Sequence, residues 1–442
     1  MLSYKKILWT VANNAIDLLV GVGIFILVSK KYTPSEVGIW TLFTAVFYFV
    51  TKIRESIVQS ALVKFSAGKT GNEYWDVLQC SFVLNISIDL LITTLVLTAG
   101  RWVLPHGVSD LLIYYPLYAT AWAIYRWQLI VLRSSLKVEA IFRTNLAFVA
   151  ILISGLVWVF FTTQPLSSIV LVLGIASSIS VGLACFYISP ILIWKAKPKW
   201  RLHLEMFQFG KHGFFRDLVG LLSGRINVFL IASFLTLTDV ALLGVASKFT
   251  QLIVIPNTAI QSLFFPKVCE LVNTKKLELL KFFFQNTVAL VLSILLPMAL
   301  LISLFAKPLV ILISSTEYTD AAPLAICMVF TSALTLPFGN AFGSVVNALN
   351  KPKLNTKVVT GISLLNIVLL FTIVYYWGLI GVVVAPLIAN VIGLVWTQRI
   401  LKKELNISFI GCFKLILEQY RKLLLSGKKY VKTNSPSVHY EK

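Results

Sequence analysis

Five basic side chains fall inside stretches of sequence that are otherwise almost free of charge, and they are the first candidates for chemistry. They are Arg225, Lys248, Arg216, Arg126 and Arg54. An ionised group in lipid is costly unless it faces water, a partner or a cavity. Guanidinium groups bind phosphate oxygens through two parallel hydrogen bonds, so these residues predict a substrate-binding site for an anionic head group. The alternatives are that they reach toward lipid head groups, or that they pair with Glu55 or Asp217.

Two carboxylates in apolar stretches each follow an asparagine by one helical turn. Asn13 precedes Asp17, and Asn85 precedes Asp89. Such a carboxylate can take up a proton, or it can bind a cation together with the neighbouring amide. These four residues are therefore predicted to couple transport to a cation gradient. The alternative is a structural hydrogen bond between helices, or an ion pair with one of the arginines.

No catalytic or cofactor-binding motif accompanies these residues. The five cysteines are far apart in the sequence, and there is neither a CxxC pair nor a phosphate-binding glycine-rich loop. We therefore expect no catalytic residue, no metal and no cofactor, with H+ or Na+ as the coupling ion. The net charge is +21, but the basic residues lie between the apolar stretches rather than on one face of a soluble module. Nucleic acid is therefore not an expected partner.

The elements that must position these residues are membrane-spanning helices. Hydrophobic residues make up 58% of the chain and charged residues only 13%, whereas soluble domains carry about 25% charged residues. The apolar stretches have roughly the 20 residues that span a bilayer, and backbone groups in lipid must bond internally. We predict an all-α integral membrane protein of about twelve helices. The predicted spans are 7–28, 37–58, 78–99, 111–132, 144–163, 166–194, 213–235, 239–260, 279–305, 321–347, 355–376 and 379–400.

Positive charges alternate from one predicted loop to the next. One set of connections and both ends of the chain hold most of the lysines and arginines, and the other set holds only Lys30, Lys31, Arg101 and Lys307. The positive-inside rule makes the first set cytoplasmic, which places both termini inside and requires an even number of helices.

A weak internal repeat divides the chain into two halves. The segment Thr33–Gly38 resembles Leu237–Gly244, and Gln59–Leu62 resembles Gln261–Phe264. Repeats that run in the same direction imply a pseudo-two-fold axis along the membrane normal, with a cavity between the halves. The predicted divisions are an N-terminal half 1–194, a cytoplasmic amphipathic linker 195–212, a C-terminal half 213–400 and a basic cytoplasmic tail 401–442.

The order and spacing of several short segments resemble those of a known family. These segments are Tyr32–Trp40, Ser60–Phe65, Ile226–Phe249, Phe265–Pro266, Tyr318–Pro323, Asn347–Lys353 and Trp377–Val382. They are similar to those of bacterial polysaccharide-export proteins, the oligosaccharide flippases of the multidrug/oligosaccharidyl-lipid/polysaccharide exporter superfamily. The resemblance covers most of residues 1–405. Family members commonly carry an aspartate near Asn227, whereas Lys248 matches a basic residue of the family.

The resemblance implies a secondary transporter rather than an enzyme. Its substrate would be an undecaprenyl-pyrophosphate-linked oligosaccharide, moved to the outer leaflet of the bacterial inner membrane by alternating access with cation counter-transport. Membrane lipids and other polysaccharide-assembly membrane proteins would be its partners. Because Asn227 stands where the family commonly has an aspartate, the resemblance gives no support for a coupling role of the seventh helix. Two alternatives remain: a cation-coupled multidrug exporter of the same fold, and a membrane glycan polymerase or ligase.

Overall fold

The computed structural model describes residues 4–66, 69–103, 106–135, 137–188, 200–418 and 420, and these residues are almost entirely helical. Twelve helices of 19 residues or more lie within these ranges. They are α1 (Tyr4–Lys31), α2 (Pro34–Ser66), α3 (Gly71–Val103), α5 (Tyr115–Ser134), α6 (Val138–Phe161), α7 (Ser167–Cys185), α8 (Trp200–Phe234), α9 (Leu237–Asn273), α10 (Leu277–Leu304), α12 (Ala321–Ala348), α13 (Pro352–Trp377) and α14 (Gly381–Leu405). The prediction of an all-α protein with about twelve long helices is confirmed.

Shorter elements complete the described part of the chain. They are α4 (His106–Leu111), α11 (Ala306–Ile313), the 3-10 turns Thr316–Tyr318 and Gly378–Ile380, and a tail helix over residues 409–418. Eight stretches of the described helices are long and apolar enough to cross a bilayer, and one of them, Pro352–Leu405, contains both α13 and α14. The chain is therefore a multi-pass membrane protein.

Two of the long helices begin with the same capping arrangement. At the start of α2, Glu36 accepts a hydrogen bond from the backbone N–H of Thr33 at 2.9 Å, and the Thr33 hydroxyl accepts one from the Glu36 N–H at 3.4 Å. At the start of α9, Asp239 and Thr236 make the same reciprocal pair at 3.0 and 3.2 Å. Each pair satisfies two backbone donors that a helix N-terminus would otherwise leave unbonded. The repeated segment thus opens two helices in the same way.

Contacts divide the helices into two compact units. The first comprises Met1–Gly244 with Ile313–Glu317, and the second comprises Val245–Leu312 with Tyr318–Lys442. In the first unit α8 packs along α2, while α5 packs on both α3 and α7. Helix backbones come close together at two glycines: a Cβ on Gly38 would collide with the carbonyl oxygen of Leu237, and one on Gly210 with that of Ile57. Glycine at these positions lets the helix backbones come together.

The first turns of α8 depart from the predicted spans. The seventh span was expected to start at residue 213, after a linker, but α8 begins at Trp200 and runs without interruption. Met206 is fully buried against Ala61 and Val77, with Leu202 packed beside them. This burial extends the helix toward its N-terminus. The division into halves at 195–212 itself stays a prediction, and residues 189–199 lie outside the described part.

The second unit holds the tail helix against its core. Phe409, Cys412 and Ile416 are buried on α10 and α12, and the rings of Phe409 and Phe338 have centroids 4.4 Å apart. Gln398 of α14 makes two hydrogen bonds to the start of the tail. Its amide nitrogen donates to the Ile407 carbonyl at 3.0 Å, and its amide oxygen accepts from the Phe409 N–H at 2.6 Å. The tail therefore begins as a packed element of the second unit.

Candidate functional site

The candidate site lies in the first unit, where α2 carries three charged side chains close together. Lys52, Arg54 and Glu55 stand in the second half of this 33-residue helix. Successive residues of a helix are separated by about 100° of rotation, so Arg54 and Glu55 face different neighbours despite being adjacent in sequence. Lys52 and Glu55 are three residues apart and share one face.

Arg54 faces α3 and pairs with Asp89. Its Nη1 lies 2.6 Å from Oδ1 of Asp89, and the two side chains are only 3% and 2% exposed. A single hydrogen bond joins the two groups, because Nε and Nη2 of Arg54 and Oδ2 of Asp89 have no hydrogen-bond partner among the described residues. The pairing alternative that the sequence left open for these residues therefore applies here.

Glu55 faces α5 and is held by two cations. Its Oε1 lies 2.7 Å from Nε of Arg126, and its Oε2 lies 2.9 Å from Nζ of Lys52. The Glu55 side chain is 6% exposed, whereas those of Arg126 and Lys52 are 22% and 37% exposed. Arg126 also lies over the ring of Trp122, at 5.7 Å from its centroid. Glu55 is thus buried beneath two cations that remain partly accessible.

The cluster as a whole is basic. In the ion pairs of the described side chains, three cations (Lys52, Arg54 and Arg126) face two carboxylates (Glu55 and Asp89). Aromatic rings line the α2–α5 side of this region, with Phe47 and Tyr118 stacked at a centroid distance of 4.3 Å. Such rings offer flat faces to cations and to the apolar faces of sugars.

The predicted amide positions take part in hydrogen bonds between helices. Asn145 donates to the oxygen of Asn13 at 3.0 Å and accepts from the Tyr125 hydroxyl at 2.6 Å. Asn85 donates to the Ala123 carbonyl at 3.2 Å. These bonds join α1, α5 and α6 and tie α3 to α5, so both asparagines have a structural role in the described fold.

The remaining predicted residues are not brought into this cluster by the described part of the chain. The side chains of Arg216, Arg225 and Asp17 lie outside the described residues. Lys248 of α9 is half-buried and interacts with neighbouring groups. The oxygen of Asn227 accepts a hydrogen bond from the Val228 N–H at 3.1 Å. The substrate-binding and coupling roles assigned to these positions stay predictions.

Sequence reasoning missed Lys52 and the central position of Glu55. The available signal was their spacing of three residues on one helix, with Tyr48 a further turn away and its ring 5.7 Å from Nζ of Lys52. No group of three or more histidine, cysteine, aspartate or glutamate side chains among the described residues could hold a metal ion. The chemistry that this site can perform is the binding of an anion by partly accessible cations.

Comparison with known proteins gives one curated relative and several solved structures of the same fold. The probable low-salt glycan biosynthesis flippase Agl15 of Haloferax volcanii is 21% identical over 387 residues, covering 86% of this chain and 79% of that protein. The lipid II flippase MurJ in an inward closed conformation superposes with a TM-score of 0.75, at 16% identity over 95% of this chain and 92% of that chain. An inward-facing MATE multidrug resistance transporter of the MOP superfamily gives 0.73, at 14% identity over 94% and 96%.

The two similar structures show that the chain has the fold of these transporters. A comparison of its sequence with a family model shows the family. The model for polysaccharide biosynthesis proteins matches residues 27–323, which include the whole charge cluster of α2, α3 and α5. That match covers more than half of the chain. The chain is therefore a member of the polysaccharide biosynthesis protein family.

Proposed function

We propose that the protein is a flippase that moves undecaprenyl-pyrophosphate-linked oligosaccharide units from the cytoplasmic to the outer leaflet by alternating access. The observation that carries the proposal is membership of the polysaccharide biosynthesis family, together with a glycan flippase relative that covers 86% of this chain. The protein would act in a bacterial inner membrane, with both termini in the cytoplasm and other polysaccharide-assembly proteins as partners. It would be a secondary transporter and not an enzyme.

The charge cluster supports an anionic cargo. A pyrophosphate diester carries a negative charge on each phosphate, and it needs cations to enter a helical bundle of low dielectric constant. Arg126 and Lys52 are partly exposed, whereas Arg54 is closed off by its pairing with Asp89. The partly exposed cations of the first unit therefore suit the head group, and Arg216, Arg225 and Lys248 remain proposed substrate-binding residues.

Coupling to H+ or Na+ is the finer part of the proposal. Asp89 is a poor coupling residue while Arg54 neutralises it at 2.6 Å. Asn13 and Asn85 already form hydrogen bonds between helices. Asp17 is therefore a better candidate than Asp89 for the residue that couples transport to the cation gradient. A transport assay with and without an imposed H+ or Na+ gradient tests this step.

The leaflet in which lipid-linked glycan accumulates tests the flippase proposal. In cells lacking the protein, lipid-linked glycan should be made normally but stay accessible only from the cytoplasmic side. Expression of the wild-type protein should restore its display outside. Normal display without the protein would refute the proposal.

Multidrug export is the second candidate, because a MATE transporter has nearly the same TM-score as the lipid flippase. Exporters of cationic drugs need acidic binding sites, whereas cations outnumber carboxylates in the described ion pairs of this cluster. We therefore expect no protection of cells against cationic dyes. Efflux of such a dye by the purified, reconstituted protein would favour the exporter.

A further inference from the structure

We propose that the tail helix over residues 409–418 lies in the membrane interface of the leaflet in which α14 ends, and that it binds anionic phospholipids there. An exposed apolar stripe would contact the acyl chains, and three exposed lysines would contact the head groups. The inference concerns a lipid ligand and not the cargo, so it goes beyond the proposed function and does not rest on it.

One side of the tail helix is apolar and remains exposed. Ile410, Phe413 and Leu417 are 71%, 47% and 76% exposed. Their spacing of three and four residues places them on one stripe of the helix. This apolar stripe lies beside the face that is buried against α10 and α12. The helix therefore carries more apolar surface than the described part of its own unit covers, as an interfacial amphipathic helix does.

The contacts of the tail helix place it inside the ends of three long helices. Gln285 of α10 donates to the Ser408 carbonyl at 3.0 Å, Gln398 of α14 bonds to the start of the tail, and the ring of Phe338 of α12 packs on that of Phe409. These three residues lie eight residues after α10 begins, seven before α14 ends and ten before α12 ends. At about 1.5 Å per residue, the tail helix is about 10–15 Å from those ends.

That level is the level of the membrane interface. With 28 residues, α10 is about 42 Å long, whereas the hydrocarbon core of a bilayer is about 30 Å thick. A helix of this length centred in the bilayer extends about 6 Å beyond the core at each end. The tail helix then lies about 4–9 Å inside the edge of the core, close to the depth of about 5–10 Å at which amphipathic helices insert. Acyl chains reach this depth, and a water-soluble partner protein does not.

Exposed lysines accompany the apolar stripe. Lys402 and Lys403 stand in the last turn of α14, Lys414 borders the stripe, and all three are exposed. Of the two carboxylates near them in sequence, Glu404 is held in another ion pair at 2.6 Å and Glu418 is exposed. Cations therefore dominate this region, which favours anionic head groups. A second copy of this chain, with its net charge of +21, is a poor occupant because like charges repel.

Photolabelling by lipids tests the inference. The purified full-length protein is placed in phosphatidylcholine nanodiscs that contain a trace of either phosphatidylglycerol or phosphatidylcholine with a diazirine in its acyl chain. After irradiation, mass spectrometry measures the adducts on the tail helix. Phosphatidylglycerol should label this helix at least about fivefold more than phosphatidylcholine does, the factor expected from one lysine near an anionic surface.

The variants separate the two parts of the surface. Lys402→Gln/Lys403→Gln/Lys414→Gln should bring the labelling ratio of the two probes to about one and leave labelling by phosphatidylcholine unchanged. Ile410→Ser/Leu417→Ser should lower labelling by both probes. The control is Lys307→Gln, an exposed lysine near the opposite end of α10, which should leave the ratio unchanged.

Absence of adducts on the tail helix with either probe would overturn the inference, as would equal labelling by both probes in the wild-type protein. Labelling that is present with one protein copy per nanodisc and lost with two would assign the stripe to a second copy, and would overturn it too. The substituted residues are exposed, and each can be changed singly if a multiple variant does not fold. Labelling requires no glycan, so failure of the leaflet assay would leave this result standing.

Discussion

Replacing Asp89 by asparagine should strongly destabilise the protein. The substitution keeps the shape of the side chain but removes the carboxylate that neutralises Arg54, whose side chain is 3% exposed. Nε and Nη2 of Arg54 already lack hydrogen-bond partners among the described residues, so no other described group can take over. The guanidinium group would be left charged and unpaired between α2 and α3.

The expected cost is about 3–5 kcal/mol in the free energy of unfolding, because breaking a buried ion pair leaves an uncompensated charge. Arg54→Met should cost a similar amount, since it leaves the carboxylate unpaired. Removing both charges in Arg54→Met/Asp89→Leu should restore most of the stability, because no buried charge remains.

Reversible unfolding in mixed detergent micelles, followed by circular dichroism, measures these differences. Glu139→Gln is the control, because it breaks an exposed ion pair with Arg143 and should change stability little. A loss of less than about 1 kcal/mol in Asp89→Asn would contradict a closed ion pair. So would a double variant whose loss of stability equals the sum of the losses in the two single variants. A stable double variant that no longer exports glycan would show that the pair serves transport.

Three further predictions concern other parts of the chain. Arg225→Ala and Lys248→Ala should each abolish glycan export while the protein still inserts at normal levels; full export by both would remove these residues from the binding site. Gly38→Ala should destabilise the protein by about 1–3 kcal/mol, because the added methyl group would collide with the backbone of Leu237. Gly21→Ala is the control and should leave the stability unchanged, because no atom lies within 4 Å of the new Cβ. Gln398→Ala removes two hydrogen bonds to the start of the tail, so it should lower the free energy of unfolding by about 1–3 kcal/mol and expose the tail helix to proteases. An unchanged digestion rate would contradict the role of Gln398 in holding the tail.

Helix number and position could be read from the sequence because bilayer thickness fixes the length of each apolar stretch. The tenth span was predicted as 321–347, and α12 runs from Ala321 to Ala348. The sequence did not predict α11, because this apolar helix of eight residues lies in a predicted loop and is too short to cross the bilayer. The early start of α8 was missed because burial of Met206 depends on α2 and α3, which no local pattern reveals.

The pairing of charges could not be read from the sequence. Arg54 and Glu55 are neighbours, yet they bind partners 35 and 71 residues away. Helical rotation separates their faces, and only the packing of α3 and α5 decides which charge each one meets. The sequence identified the ionisable groups and left ion pairing open as an alternative. The structure assigns the pairs for Arg54 and Arg126.

Transport is tested most directly with purified protein in liposomes that carry a labelled polyprenyl-pyrophosphate oligosaccharide. The fraction of label that an external, impermeant glycan-binding protein can reach should rise toward complete access with the wild-type protein. Arg126→Gln, which removes a cation of the proposed site, should leave it at the level of protein-free liposomes. Equal access with and without the wild-type protein would contradict the central claim that this chain carries lipid-linked glycan across the membrane.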